Sequence, residues 1–126
     1  MPLVEITFRK GKSPEYVRFV ADAIHEALVA QANVPPDDRF QIVHHVDDTS
    51  VIAHPSYGGV SRSNDLIIVK ITLNAGRTVE IKRNLYADIT RRLGSAADVR
   101  PDDVMICLVE VVKENWSFGG GRATYA

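Results

Sequence analysis

The stretch LVEITF (3–8) returns as IVKITL (68–73), and VPPDDRFQIVHHV (34–46) returns as VRPDDVMICLVEV (99–111). A single offset of 65 residues relates both pairs, and it holds without a gap between residues 2–46 and 67–111. Of the 45 aligned pairs 14 are identical, among them Ile6/Ile71, Gly11/Gly76, Glu15/Glu80, Leu28/Leu93, Asp37/Asp102 and Asp38/Asp103. Average composition gives only about three or four by chance. The chain is therefore one supersecondary unit used twice, and the shape of that unit decides the fold.

In the first copy, Leu3 to Phe8 is short and rich in branched and aromatic residues, the pattern of a strand. Ser13-Pro14-Glu15 supplies an N-cap, a first-turn proline and a first-turn carboxylate, all favourable at a helix start. Val17, Val20, Ile24 and Leu28 follow at helical spacing, and Asn33 is a fitting stop. After Pro35-Pro36-Asp37-Asp38, residues 40–46 return to a strand pattern. The second copy predicts a strand over 66–73, a helix opened by Thr78-Val79-Glu80 and stopped at Gly94, and a strand over 104–111. A strand–helix–strand unit makes a crossover with parallel strands. Two such units predict an α/β (α+β) domain: a tandem β-α-β repeat whose four-stranded mixed sheet carries both helices on one face. Residues 66–69 and 104–109 are apolar at consecutive positions, as in strands covered on both sides. No third helix remains to cover the second face, so another copy of the chain is expected to do so. The linker 47–65 reads as a loop with one short strand over 51–54. The tail, 112–126, with Gly119-Gly120-Gly121 as a bend, is expected to lie across a neighbouring element or subunit.

At 126 residues the chain is one domain, 1–126, with a single core. Fifteen basic against sixteen acidic residues give a net charge of −1, which argues against a nucleic-acid groove or a membrane surface. No apolar run reaches membrane-spanning length, and no basic leader with a hydrophobic stretch opens the chain. The lone Cys107 rules out an internal disulfide. A cytoplasmic protein is the expectation.

Duplication preserves a scaffold, so the places where the copies differ carry the functional signal. Pro2 aligns with Ile67, a residue inside a strand. Small second residues, proline included, permit removal of Met1, and the product is a secondary amine fixed at the head of a strand. An α-amine titrates near 8. A nearby arginine lowers that value and a nearby carboxylate raises it, so the group can serve as general acid or general base. Asp38 and its counterpart Asp103 lie in a Pro-Asp-Asp turn, where aspartate first serves the backbone. Arg77 and its counterpart Lys12 each place a cation at a helix mouth, against the macrodipole. That placement suits the holding of an anion. The histidines show no metal-ligand spacing: His44 and His45 point to opposite faces of a strand, and His25 and His54 lie on other elements. Phosphate-loop, nucleophile-elbow and Cys-x-x-Cys motifs are absent.

Pro2 after the initiator, the tandem β-α-β repeat, Asp38 in PPDDRFQ, Arg77 in NAGRT and NWSFGGGRA (115–123) together resemble the tautomerase superfamily, in its malonate semialdehyde decarboxylase-like branch. The resemblance spans nearly the whole chain. It implies a tautomerase (MIF-like) fold assembled as a homotrimer, with an amino-terminal proline working in a pocket between subunits and without a cofactor or metal. It further implies Pro2 as the acid–base group, Asp38 as the residue that orients or activates a water or the proline, and Arg77 as the holder of a substrate carboxylate or developing enolate. Trp116, Phe118 and Tyr125 would line the pocket beside Asn74. The implied substrates are small oxo-acids, turned over by tautomerisation, decarboxylation or hydration. The competing readings are a non-catalytic ferredoxin-like ligand-binding or regulatory module and an inactive member of the superfamily. Strand order separates the ferredoxin-like module from the rest.

Overall fold

The computed structural model describes residues 1–125. Its sheet is built from β1 (Pro2–Arg9), β2 (Gln41–Val46), β3 (Ile67–Asn74) and β4 (Val104–Val111), with α1 (Pro14–Gln31) and α2 (Val79–Ala97) as the crossovers. The strand order is β2-β1-β3-β4. β1 runs parallel to β2, β3 parallel to β4, and β1 antiparallel to β3. Each helix-flanking pair is thus adjacent and parallel. This sets aside the ferredoxin-like order, in which another strand separates such a pair.

The duplication is as regular in space as in sequence. Ser13 and Thr78 cap their helices alike, their hydroxyls accepting from Tyr16 N and Ile81 N. Each cap satisfies a backbone donor that the first turn leaves free. Asn33 and Asp98 end the helices in the left-handed region, at φ 56° and 54°. Gly94 is therefore not the stop that its residue type suggests; it lies inside α2, which continues to Ala97. Short polar side chains tolerate the left-handed conformation, so either can replace glycine at a helix end.

The core lies between the helices and one face of the sheet. Val4, Ile6 and Phe8 of β1 and Ile67, Val69, Ile71 and Leu73 of β3 meet Ile24 and Leu28 of α1 and Leu85, Ile89 and Leu93 of α2. Each such side chain contributes about 1.5–3 kcal/mol by leaving water. Truncating one, as in Ile24→Ala, costs about 2–5 kcal/mol. The opposite sheet face is uncovered in the single chain, and Ile42, Met105 and Val109 stand exposed there. In the β1–β3 register Glu5 faces Lys70, which is its own repeat counterpart. The local two-fold axis therefore passes between them, and opposite charges meet where identical ones would repel.

The linker forms no strand over 51–54. After β2 the chain makes a 3₁₀ turn, Asp48–Ser50, and then a loop. The Arg9 guanidinium holds this loop by donating to the carbonyls of Asp48, Val51 and Asn64, taking up acceptors that a strand would offer to a neighbouring strand. A 3₁₀ turn, Lys113–Asn115, likewise follows β4 at the same 65-residue offset, so the structural repeat outlasts the sequence repeat. Among the described residues no helix is long and apolar enough to cross a membrane.

Candidate active site

Because β1 and β3 are antiparallel, the head of β1 lies beside the tail of β3, with Pro2 paired to Leu73. β2 starts and β4 ends at that same end of the sheet. Four segments therefore converge there: Pro2, the Asp38 turn before β2, the Asn74–Arg77 loop after β3, and the tail after β4.

Pro2 is buried. The amino nitrogen of Met1, three covalent bonds before the Pro2 nitrogen, lies 3.4 Å from Asp38 Oδ2. The Asp38 turn is fixed from both sides: Asp38 N donates to Pro35 O at 3.0 Å, and Val4 N of β1 donates to Phe40 O at 2.9 Å.

Arg77 is half-buried, and three of its N–H groups are used within the chain. Nε and Nη2 donate to Ala32 O at 3.1 and 2.8 Å, and Nη1 donates to Asn74 O at 3.1 Å. Ala32 is the C-cap of α1, so the guanidinium neutralises the negative end of that helix. A guanidinium has five donors, which leaves one hydrogen on each terminal nitrogen. Among the described residues no carboxylate pairs with Arg77, so its charge remains available to an anion. Nearby, a hydrogen bond from Lys82 holds the Glu110 carboxyl below the usual carboxylate range, against a smaller opposing effect of burial. The Gly76 backbone and the Arg77 charge act in the same lowering direction.

The tail folds back onto this end. Trp116 Nε1 donates to Asn74 Oδ1 at 2.7 Å. Gly119, Gly120 and Gly121 all adopt positive φ, which only glycine tolerates in succession, and they return Tyr125 edge-on to Phe118 at 5.3 Å. Phe118 also stacks on Phe40 at 6.4 Å and lies 6.1 Å from Trp116. The expected residues Asn74, Trp116, Phe118 and Tyr125 thus form one cluster, anchored on the chain itself. Phe40 belongs to the same wall although its sequence context reads only as a strand start; its place two residues after Asp38 is the signal. Phe40, Phe118 and Tyr125 remain 48%, 43% and 45% exposed, so a single chain leaves the wall without a lid.

The equivalent end of the second repeat is closed for business of this kind by its own contacts. Ile67 replaces Pro2, and Asp103 replaces Asp38. Asp103 is fully buried and accepts from Ser63 N (2.7 Å), Ser63 Oγ (2.6 Å) and Arg100 Nη1 (3.4 Å). Lys12, in the place of Arg77, is paired with Asp65 at 2.6 Å.

Comparison with known proteins gives this end a context. Two family models, both described as tautomerase enzyme, match residues 38–119 and residues 2–60. The probable tautomerase YusQ of Bacillus subtilis (strain 168) is 38% identical over 123 residues, covering 98% of this chain and 97% of the relative. A crystal structure of FG41 malonate semialdehyde decarboxylase inhibited by 3-bromopropiolate superposes with a TM-score of 0.91 at 38% identity, covering 98% of this chain and 93% of that one. A symmetric trimer of fused 4-OT has a TM-score of 0.80 at 22% identity, covering 98% and 97%, and shares the fold. With both repeats matched by the family models and a 38% identical relative aligned over nearly the whole length, this chain belongs to the tautomerase family.

Proposed function

We propose that this chain is a cofactor-free enzyme acting on small oxo-carboxylates, with Pro2 as its acid–base group once Met1 has been removed. The observation that carries the reading is the amino end of β1 beside a carboxylate, with Met1 N 3.4 Å from Asp38 Oδ2. An ionised Asp38 favours the protonated form of a Pro2 amine in that position. A protonated amine polarises a carbonyl, which suits decarboxylation of a 3-oxo acid better than proton abstraction. The similarity to a malonate semialdehyde decarboxylase supports the same choice.

In this mechanism Arg77 binds the substrate through its two remaining hydrogens, and Pro2 donates a hydrogen bond to the 3-oxo group. The bond between the α-carbon and the carboxyl carbon breaks. Its electron pair enters the enol system as carbon dioxide leaves, and the enol carbon then takes up a proton to give the shortened aldehyde or ketone. The apolar wall of Phe40, Trp116 and Phe118 favours a step that turns a carboxylate into a neutral molecule. Asp38 orients the amine, or activates water where the substrate is an unsaturated acid. A positioned proton carrier contributes about 10²–10⁴-fold, and an oriented cation a comparable factor.

The working unit of this proposal is a homotrimer. Its support is the uncovered sheet face, with Ile42, Met105 and Val109 exposed, and the half-exposed aromatic wall, which a neighbouring subunit would close. The test is an intact mass, to establish that Met1 is gone, followed by rates with malonate semialdehyde and with the enol of phenylpyruvate for the parent and Pro2→Ala. The proposal expects a loss of about 10²-fold or more in the variant. Equal rates end it.

A further inference from the structure

We infer that His25 is a positioning residue that sets the direction of the Asp38 carboxylate; the inference rests on the reading of Asp38 and Pro2 above. His25 lies on the buried face of α1, 8% exposed, and its Nε2 is 2.7 Å from Pro36 O. A carbonyl only accepts, so Nε2 carries the hydrogen and donates. Pro36 belongs to the turn that ends in Asp38, whose own N–H closes that turn onto Pro35 O. The imidazole is thus a rigid strut from the helix to the backbone of the turn.

Comparison of the two repeats shows what the strut achieves. At the equivalent of His25 stands Thr90, whose hydroxyl donates within its own helix to Tyr86 O and holds no turn. There the Pro-Asp-Asp turn is anchored by the aspartate itself, with both Asp103 oxygens occupied by Ser63. In the first repeat the anchor has moved from the carboxylate to the carbonyl of Pro36. Asp38 is thereby released from structural service and faces the amino terminus instead. A catalytic carboxylate needs fixed direction without spent oxygens, and the histidine supplies the first without consuming the second.

The test uses the full-length protein with Met1 removed. His25→Thr copies the second repeat and removes the donor, and His25→Met does the same while filling more of the space, so one serves should the other fold poorly. His25→Gln keeps an N–H within reach of Pro36 O. Misplacement of a catalytic group by about 1 Å costs up to about 10²-fold. The expected result is a fall in kcat of about 10- to 100-fold for His25→Thr and His25→Met, little change in KM, and recovery of most of the rate in His25→Gln. The decisive measurement is the same change made in an Asp38→Asn background, where His25→Thr should cost nothing further because the group it positions is gone. An unchanged kcat in both donorless variants, or an equal loss with and without Asp38, overturns the inference. A second readout separates this from the proposed function: the titration midpoint of the Pro2 nitrogen, followed by NMR on protein labelled with ¹⁵N-proline. Asp38→Asn should move that midpoint down and His25→Thr should move it part of the way. If the parent turns over none of the oxo-acids yet both midpoints fall, the enzymatic reading fails and the positioning role stands. If Asp38→Asn moves the midpoint and His25→Thr does not, the positioning role fails alone.

Discussion

Asp38 and Asp103 occupy equivalent places in the repeat, and substituting each by alanine should produce opposite phenotypes. Asp103 is fully buried and accepts two bonds from Ser63 and one from Arg100. Its removal leaves the half-buried Ser63 N–H and hydroxyl without their acceptor and the Asp103 site without its charge. Breaking a buried charged group out of its hydrogen bonds costs about 3–5 kcal/mol, and a domain of this size loses about 4 °C in melting temperature per kcal/mol. Asp103→Ala should therefore melt ~12–20 °C below the parent. Among the described residues the Asp38 side chain, 19% exposed, makes one polar contact, with the amino nitrogen of Met1. Such a pair contributes under about 1 kcal/mol, so Asp38→Ala should melt within ~4 °C of the parent. Turnover should divide the other way. Asp38→Ala loses about 10²-fold in kcat, while Asp103→Ala, assayed well below its melt, keeps a rate close to the parent's because it lies at the far end of the sheet. Thermal melts by circular dichroism and initial rates on one oxo-acid measure both halves. If Asp103→Ala melts with the parent, or Asp38→Ala is the less stable of the two, the division of labour between the copies is refuted.

Gly94→Ala should stabilise the protein by about 0.5–1 kcal/mol, since Gly94 lies within α2 and an added methyl meets only Val99 O, at 3.5 Å; a lower denaturant midpoint would contradict this. Asp88 is 5% exposed, and although burial alone pushes its carboxyl up, bonds from Arg92, Arg91 and Gln31 together hold it below the usual range. A depressed carboxyl contributes stability that is complete above its unfolded value of about 3.9 and is lost as pH falls through the folded value. Asp88→Asn should therefore flatten the acid limb of the stability–pH curve, measured by urea unfolding between pH 5 and 2. Arg77→Lys keeps the charge but loses the planar five-donor fork that bonds Ala32 O twice and Asn74 O once while sparing two hydrogens, so KM should rise and the melt should fall by several degrees; a change in only one of the two removes one of its roles. Glu5→Lys places two ammonium groups on the local two-fold axis beside His44 and should lower stability, whereas Glu5→Lys with Lys70→Glu should restore most of it.

The sequence discloses the fold wherever local chemistry and tertiary packing agree. Ser13-Pro14 and Thr78 are N-caps in residue type and in geometry, and the strands over 3–8 and 104–111 show their β-character without help. It misleads at Gly94, where residue type favours a stop but packing of Leu93 and Val99 carries the helix on to a left-handed Asp98. It is silent about the 3₁₀ turn after β4. Asp48–Ser50 and Lys113–Asn115 share shape and spacing but no residues, because a single 3₁₀ turn asks little of its side chains. Pro2 and Arg77 stand out as candidates because repeat alignment exposes what differs or what conflicts with the helix dipole, whereas Asp38, identical to its counterpart Asp103, is marked by the family resemblance alone. The carbonyl bonds of Arg77 and the aromatic partnership of Phe40 depend on which segments converge, and that is decided by strand order rather than by any local pattern.

The asymmetry of this molecule follows from a small number of reassigned contacts. A duplicated sheet has two equivalent ends, and nothing in the backbone prefers one. At the second end an aliphatic residue continues the strand, the aspartate is consumed by Ser63, and the lysine is consumed by Asp65. Each group there is neutralised inside the chain, which yields stability and leaves no reactive charge. At the first end, among the described residues, the Asp38 carboxylate meets the amino nitrogen of Met1, the Arg77 guanidinium donates to carbonyls, and the aromatic tail packs over both segments. A guanidinium oriented by carbonyls and, among the described residues, bound in no ion pair is held in direction and stays open to an anion. The duplication thus lets one end serve the fold while the other keeps a carboxylate beside the amino terminus and a guanidinium with hydrogens to spare, as binding and proton transfer require.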